Sequence, residues 1–151
     1  MSSSNKVITV NRRATFDYEI LERFEAGLVL LSSEIKSIRA NRVNLAGAFA
    51  HPNKDGGLWL HNCHIAPYAE ATRNNHEPTR PRKLLLHKKE LRDLARVALQ
   101  KGHTVVPLKI YISGHYAKIE LGIGRGKKRY DKRRSIKDKE RLRDARNAKK
   151  R

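Results

Sequence analysis

Tyr116-Ala117-Lys118-Ile119-Glu120-Leu121-Gly122-Ile123 is the stretch from which the fold is read. Its period is two: Ala117, Ile119, Leu121 and Ile123 share one face, and Tyr116, Lys118 and Glu120 share the other. The small and aliphatic face belongs inside, which turns Lys118 toward solvent or a ligand. Upstream, Thr104 to Ile112 has the same period and Ser113-Gly114-His115 supplies a turn, so the two stretches form an antiparallel hairpin.

Working outward, Leu91, Leu94, Ala95, Ala98 and Leu99 follow helical spacing, with Gly102 as the stop. Before that helix, residues 66–83 form a long polar connection with three prolines, Pro67, Pro78 and Pro81, and four cations, Arg73, Arg80, Arg82 and Lys83. A loop of that length is often functional. Residues 43–51 pair with Leu58 to Ile65 across the breaker-rich turn Pro52-Asn53-Lys54-Asp55-Gly56-Gly57. Phe16, Tyr18 and Ile20 alternate with Asp17 and Glu19, and a turn at Glu25-Ala26-Gly27 leads into Leu28-Val29-Leu30-Leu31, which predicts a first hairpin. Ser32 and Ser33 are N-cap candidates for a short amphipathic helix carrying Ile35 and Ile38 on one face and Lys36 and Arg39 on another, ending near Asn41. Three antiparallel hairpins with two or three helices and no βαβ pattern predict a mainly β domain, a small barrel with flanking α-helices.

Charge divides the chain in two. Residues 125–151 hold 15 Lys and Arg against four acids, a net +11 of the chain's +19. Such a segment buries little and repels itself, so it is expected to be disordered in isolation and to seek a polyanion. Nucleic acid fits better than a membrane, because Tyr130, Ile136 and Leu142 are too sparse for an interfacial apolar face. Residues 1–124 suffice for one domain and one core. A single cysteine, Cys63, excludes an intrachain disulfide, and neither a secretory signal nor a membrane span is evident, so a cytoplasmic protein is expected.

No convergent catalytic set emerges. His61-Asn62-Cys63-His64 lacks a second ligand pair at zinc spacing, so no metal or cofactor is expected. Asp17, Glu19, Glu22 and Glu25 read as solvated strand positions. Gly122, Gly124 and Gly126 read as a flexible exit into the tail rather than a phosphate cradle. Candidate RNA contacts are Lys36, Arg39 and Arg42 near the first helix, Arg80 to Lys83 in the loop, and Lys118. Glu34 stands among them as a carboxylate that could accept from a base or a ribose 2′-hydroxyl, or hold an arginine in place. Of Leu84-Leu85-Leu86, all three can hardly face inward, so one is available to a partner.

Phe16-Asp17-Tyr18-Glu19-Ile20 with Phe24-Glu25-Ala26-Gly27, Ser33 to Ala40, Arg82-Lys83-Leu84-Leu85-Leu86-His87, and Gly126-Lys127-Lys128-Arg129-Tyr130-Asp131-Lys132-Arg133 together resemble the tmRNA-binding protein family, small protein B. The resemblance runs from about residue 10 to about residue 140. It implies an oligonucleotide-binding (OB-like) barrel, no catalysis, and a role in trans-translation, with tmRNA, the 70S ribosome and its rRNA as partners of a monomer. By position it assigns Glu34, Leu85 and Lys118 to tmRNA binding. Gly126, Lys127, Lys128, Tyr130, Asp131, Lys132 and Arg133 match the family's tail motif, which implies a tail that enters the empty mRNA channel and folds there. Two departures stand out: Asn41 where the family often has Gly, and Ala145 and Ala148 where relatives place bulkier apolar residues. A general or ribosomal RNA-binding protein and an RNA-processing enzyme are the rival readings.

Overall fold

The computed structural model describes residues 6–68, 75–127, 136–137 and 139–143. The hairpin expected from the opening stretch is its centre: β8 (His103–Ser113) and β9 (Tyr116–Gly126) pair along their whole length, from His103 with Arg125 to Ser113 with Tyr116. The two-residue loop between them needs a left-handed first position, which Gly114 supplies at φ +61°. Ile119 and Leu121 are fully buried, so the inward face is the one the period assigns.

β9 pairs on its other edge with β2 (Tyr18–Leu28), a single strand of 11 residues. This corrects the first hairpin in two places. Phe16 and Asp17 are helical: α1 (Arg12–Asp17) is capped by Asn11, whose carbonyl oxygen accepts from the Ala14 N–H at 3.2 Å and whose amide donates to the Leu45 and Pro107 carbonyls at 3.2 and 2.8 Å. Ala14 packs on Val106 and Leu108, and that tertiary contact outweighs the short alternating pattern. There is also no turn at Glu25-Ala26-Gly27, since these residues pair with Glu120, Ile119 and Lys118 in unbroken register. Gly27 stands opposite Leu85 of a neighbouring strand, and a side-chain carbon there would meet the Leu85 Cβ at an ordinary contact of 3.4 Å.

The second hairpin forms in two pieces. β4 (Phe49–Pro52) pairs with β5 (Leu58–His61), and β3 (Val43–Asn44) pairs with β6 (His64–Ile65) beyond a bend where Asn62 takes φ +60°. β7 (Arg82–Leu85) joins β5 to β2, and β4 touches β8 through Ala50 and Val105, so six strands close in the order β8-β4-β5-β7-β2-β9-β8. β1 (Lys6–Val10) adds to the free part of the β8 edge. α3 (Lys88–Ala98) lies on β4, β5 and β8, with Leu94 fully buried, and Gly102 takes φ +83° in the turn that follows.

Gly122 and Gly124 are not a flexible exit. Both are buried strand residues of β9, where an added Cβ would lie 2.9 Å from Leu108 and 3.0 Å from Tyr18. Because β9 continues to Gly126, and Arg125 pairs with Glu19 at 2.6 Å, the division after residue 124 falls inside a strand. Past Gly126, the Lys127 N–H donates to the Asp17 carbonyl at 3.0 Å. Further on, residues 136–137 and 139–143 are helical and exposed, and the Lys139 ammonium stands 5.7 Å from the centre of the Phe16 ring. A helical turn with so little buried gains little from packing. Lys128, Tyr130, Asp131, Lys132, Arg133, Ala145 and Ala148 lie outside the described residues.

Candidate nucleic-acid interface

α2 (Ser32–Arg39) follows β2 directly. Its N-cap position is Leu31 rather than a serine, and the Leu31 N–H is met by Glu34 Oε1 at 2.8 Å, a carboxylate one turn inside reaching back. Ser33 is used elsewhere. Its hydroxyl lies 2.9 Å from His76 Nδ1, while His76 Nε2 donates to the Ile65 carbonyl at 2.8 Å. Ser37 donates to the Ala66 carbonyl at 2.7 Å, so α2 is stitched to the segment after β6. Asn41 ends the helix at φ +60°, a conformation Asn tolerates.

Glu34 is completely buried. Oε2 accepts from Arg82 Nε at 2.6 Å and Oε1 from Arg80 Nη2 at 2.5 Å. Arg82, also completely buried, spends its remaining donors on the carbonyls of Cys63 at 2.6 Å, Pro78 at 3.1 Å and Glu77 at 3.4 Å. Burial alone would push the Glu34 carboxyl up. The hydrogen bonds from Arg80, the Leu31 N–H and Arg82 outweigh it and hold the carboxyl below its ordinary value. Of the two roles open to Glu34, the geometry is that of holding arginines; the carboxylate has no surface to offer an RNA. Arg82 likewise is a fold residue, not a surface cation. Cys63 is buried beside this pair, and burial pushes its thiol up to about 11, so the thiol stays protonated at neutral pH.

The exposed counterpart lies on the sheet. Lys118 Nζ reaches Glu25 Oε1 at 2.9 Å, and Tyr111 donates its hydroxyl to Glu25 Oε2. The Tyr111 hydrogen bond, then that from Lys118, lowers the Glu25 carboxyl, and burial pushes the Tyr111 phenol up. Both Glu25 and Lys118 remain accessible. Leu84 faces the core and Leu85 is 54% exposed, which settles which leucine of the run is available. Leu85 and Lys118 line one groove of about 270 Å³ with Gly27, Leu28, Leu30, Ile35, His115 and Tyr116, and a second concavity holds Glu25, Leu85 and Lys118 together.

Ile35 brings α2 to the rim of that groove, and Lys36, Arg39 and Arg42 stand exposed on and after the helix. The Lys36 ammonium lies 5.5 Å from the centre of the Tyr68 ring. The groove thus presents an exposed leucine, a tyrosine and a paired lysine, with the basic residues of α2 on the helix that reaches its rim. Such a surface suits a polyanion with groups to pack against, and among the described residues no group of three or more His, Cys, Asp or Glu is placed to hold a metal ion. Glu25 is the member that sequence reasoning passed over, and its signal was thin: an outward strand position opposite the strand of Lys118. Gly126 and Lys127, the described part of the tail motif, lie at the far end of β9 from Lys118.

Among the described residues no helix is long and apolar enough to cross a membrane. The family model described as SmpB protein matches residues 8–151. The SsrA-binding protein of Bacillus cytotoxicus is 54% identical over 141 residues, 93% of this chain and 90% of its own. That of Carboxydothermus hydrogenoformans is 56% identical over 128 residues, 85% of each chain, and that of Halalkalibacterium halodurans 51% over 146 residues, 97% and 94%. A solved structure described as "tmRNA-SmpB: a journey to the center of the bacterial ribosome" contains a chain 50% identical to this one, which superposes with a TM-score of 0.69 over 86% of this chain and 94% of the other. The chain belongs to the SmpB protein family.

Proposed function

We propose that this protein binds the tRNA-like domain of tmRNA and delivers it to stalled ribosomes in trans-translation, without catalysing a reaction. The observation that carries the reading is the joining of family membership to the exposed Glu25–Lys118 pair beside Leu85 and the basic side of α2. In this reading the closed six-stranded sheet is an OB-like barrel that presents Leu85, Lys118, Lys36, Arg39 and Arg42 to the RNA. Glu25 holds Lys118 in the geometry that meets it. A fixed patch reads the shape of a folded RNA, whose shallow groove offers 2′-hydroxyls and phosphates.

Gly126, Lys127, Lys128, Tyr130, Asp131, Lys132 and Arg133 open the tail, which occupies the vacant mRNA channel and decoding region of the ribosome. The helical residues 136–137 and 139–143 support a tail able to form a helix against rRNA, where its charge is neutralised. The protein acts as a monomer in the cytoplasm, as two units that divide near Lys127.

The test compares the full chain with one ending at Lys127, titrated against the tRNA-like domain with excess elongator tRNA at physiological salt. Near-equal, tRNA-resistant affinities are expected. Collapse of binding without the tail, or equal competition by tRNA, would assign the protein to general RNA binding instead.

A further inference from the structure

The outer face of the sheet does not end at Leu85. On β7 the inward residues are Arg82 and Leu84, so Lys83 points outward beside Leu85. Lys83 pairs with Trp59 on β5, and Trp59 pairs with His51 on β4. One step along, Phe49 pairs with His61, and their rings stack with centroids 5.4 Å apart and planes 20° from parallel. The inward positions of these strands, Ala50, Leu58 and Leu60, already fill the core, so the four rings are surplus to it.

The site is built rather than incidental. The Trp59 indole N–H is held by the Asp55 carboxylate, at 3.3 and 3.4 Å to its two oxygens, and Asp55 is itself fixed by the Gly57 N–H at 2.9 Å. A side-chain carbon at Gly57 would touch Asp55 Oδ1 at 3.3 Å and make ordinary contacts with Trp59 Nε1, at 3.4 Å, and Lys83 Cε, at 3.5 Å. Lys83 also offsets the charge of Asp55, whose carboxyl is lowered first by the Gly57 N–H. Desolvation and then the neighbouring His51 hold the His61 imidazole below its ordinary value, so at neutral pH it stacks as an uncharged ring. A fixed indole, a stacked ring pair and a lysine in register match what unpaired nucleotides require: π-faces for bases and a cation for the phosphate between them.

We propose that the outer face of β4 and β5, centred on Trp59 with the Phe49–His61 pair and Lys83, is a stacking surface for unpaired nucleotides of the RNA held at Leu85 and Lys118. The inference rests on the RNA-binding reading and extends it across β7, adding single-stranded segments to the chemistry recognised.

Trp59 is the only tryptophan in the chain, so its emission reports on this surface directly. The full chain is titrated with a fluorescein-labelled oligouridylate of ten nucleotides, followed in parallel by label anisotropy and tryptophan emission, and separately with inorganic polyphosphate of equal charge. A loss of emission that saturates along the anisotropy curve and is absent with polyphosphate is expected. Trp59→Ala is expected to weaken oligouridylate binding about tenfold, and Trp59→Phe to restore most of it. Binding with unchanged emission, or the same loss with polyphosphate, overturns the proposal alone. Absence of any binding by anisotropy overturns the RNA reading together with it.

Discussion

Two acid–base pairs of similar chemistry sit in opposite surroundings. Glu34 and Arg82 meet at 2.6 Å with no solvent exposure, and Glu25 and Lys118 meet at 2.9 Å on the surface. The first has its hydrogen-bonding capacity consumed by Leu31, Arg80, Cys63, Glu77 and Pro78, so its work is to lock α2 and the segment after β6 onto β7. The second leaves an ammonium and a carboxylate in reach of a ligand, beside an exposed leucine. Burial, not residue type or motif, separates a carboxylate that supports the fold from one left open to a ligand.

The sharpest way to break the comparison is to neutralise each acid in turn. Glu34→Gln strands two arginines against one amide and is expected to cost about 3–5 kcal/mol in urea unfolding. Glu25→Gln is expected to stay within about 0.5 kcal/mol, as exposed pairs do. Equal losses would erase the distinction. The same pair can be separated by pH. The Glu34 carboxyl is held below its unfolded value, so its contribution is fully present above the unfolded pKa of about 4.3 and is lost as pH falls through the lower folded value. The melting-temperature gap between wild type and Glu34→Gln should therefore close on acidification below about pH 4.

RNA binding should rank the two in the other order. Lys118→Ala is expected to lower affinity for the tRNA-like domain about tenfold and to reduce the salt slope by about one, with the unfolding midpoint unmoved. An unchanged slope would place Lys118 away from phosphate. Core packing outside both pairs gives a smaller effect. Gly122→Ala drives a Cβ to 2.9 Å from Leu108 and is expected to cost about 1–3 kcal/mol by denaturation, leaving affinity for RNA intact at low temperature.

What could be read in advance followed periodicity. The β8–β9 hairpin, α3, the paired segments around residues 52–57 and the left-handed Asn41 all announce themselves within a few residues. What could not be read depended on distant partners. α1 exists because Ala14 finds Val106 and Leu108, and β2 runs on through Glu25-Ala26-Gly27 because those residues pair with Glu120, Ile119 and Lys118 of β9. Which of its roles Glu34 takes could not be decided locally, because the two arginines it holds lie 46 and 48 residues away. One local clue was present: if Leu84 faces inward on a strand, Arg82 does too, and a buried arginine calls for a buried carboxylate.

The most direct test of the account is a titration of the full chain carrying Leu85→Ala and Lys118→Ala together against the tRNA-like domain of tmRNA, at physiological salt with excess elongator tRNA. The account predicts a loss of selective binding of about a hundredfold, with only residual binding that tRNA competes away. Selective affinity equal to that of the unaltered chain would place recognition elsewhere and contradict it.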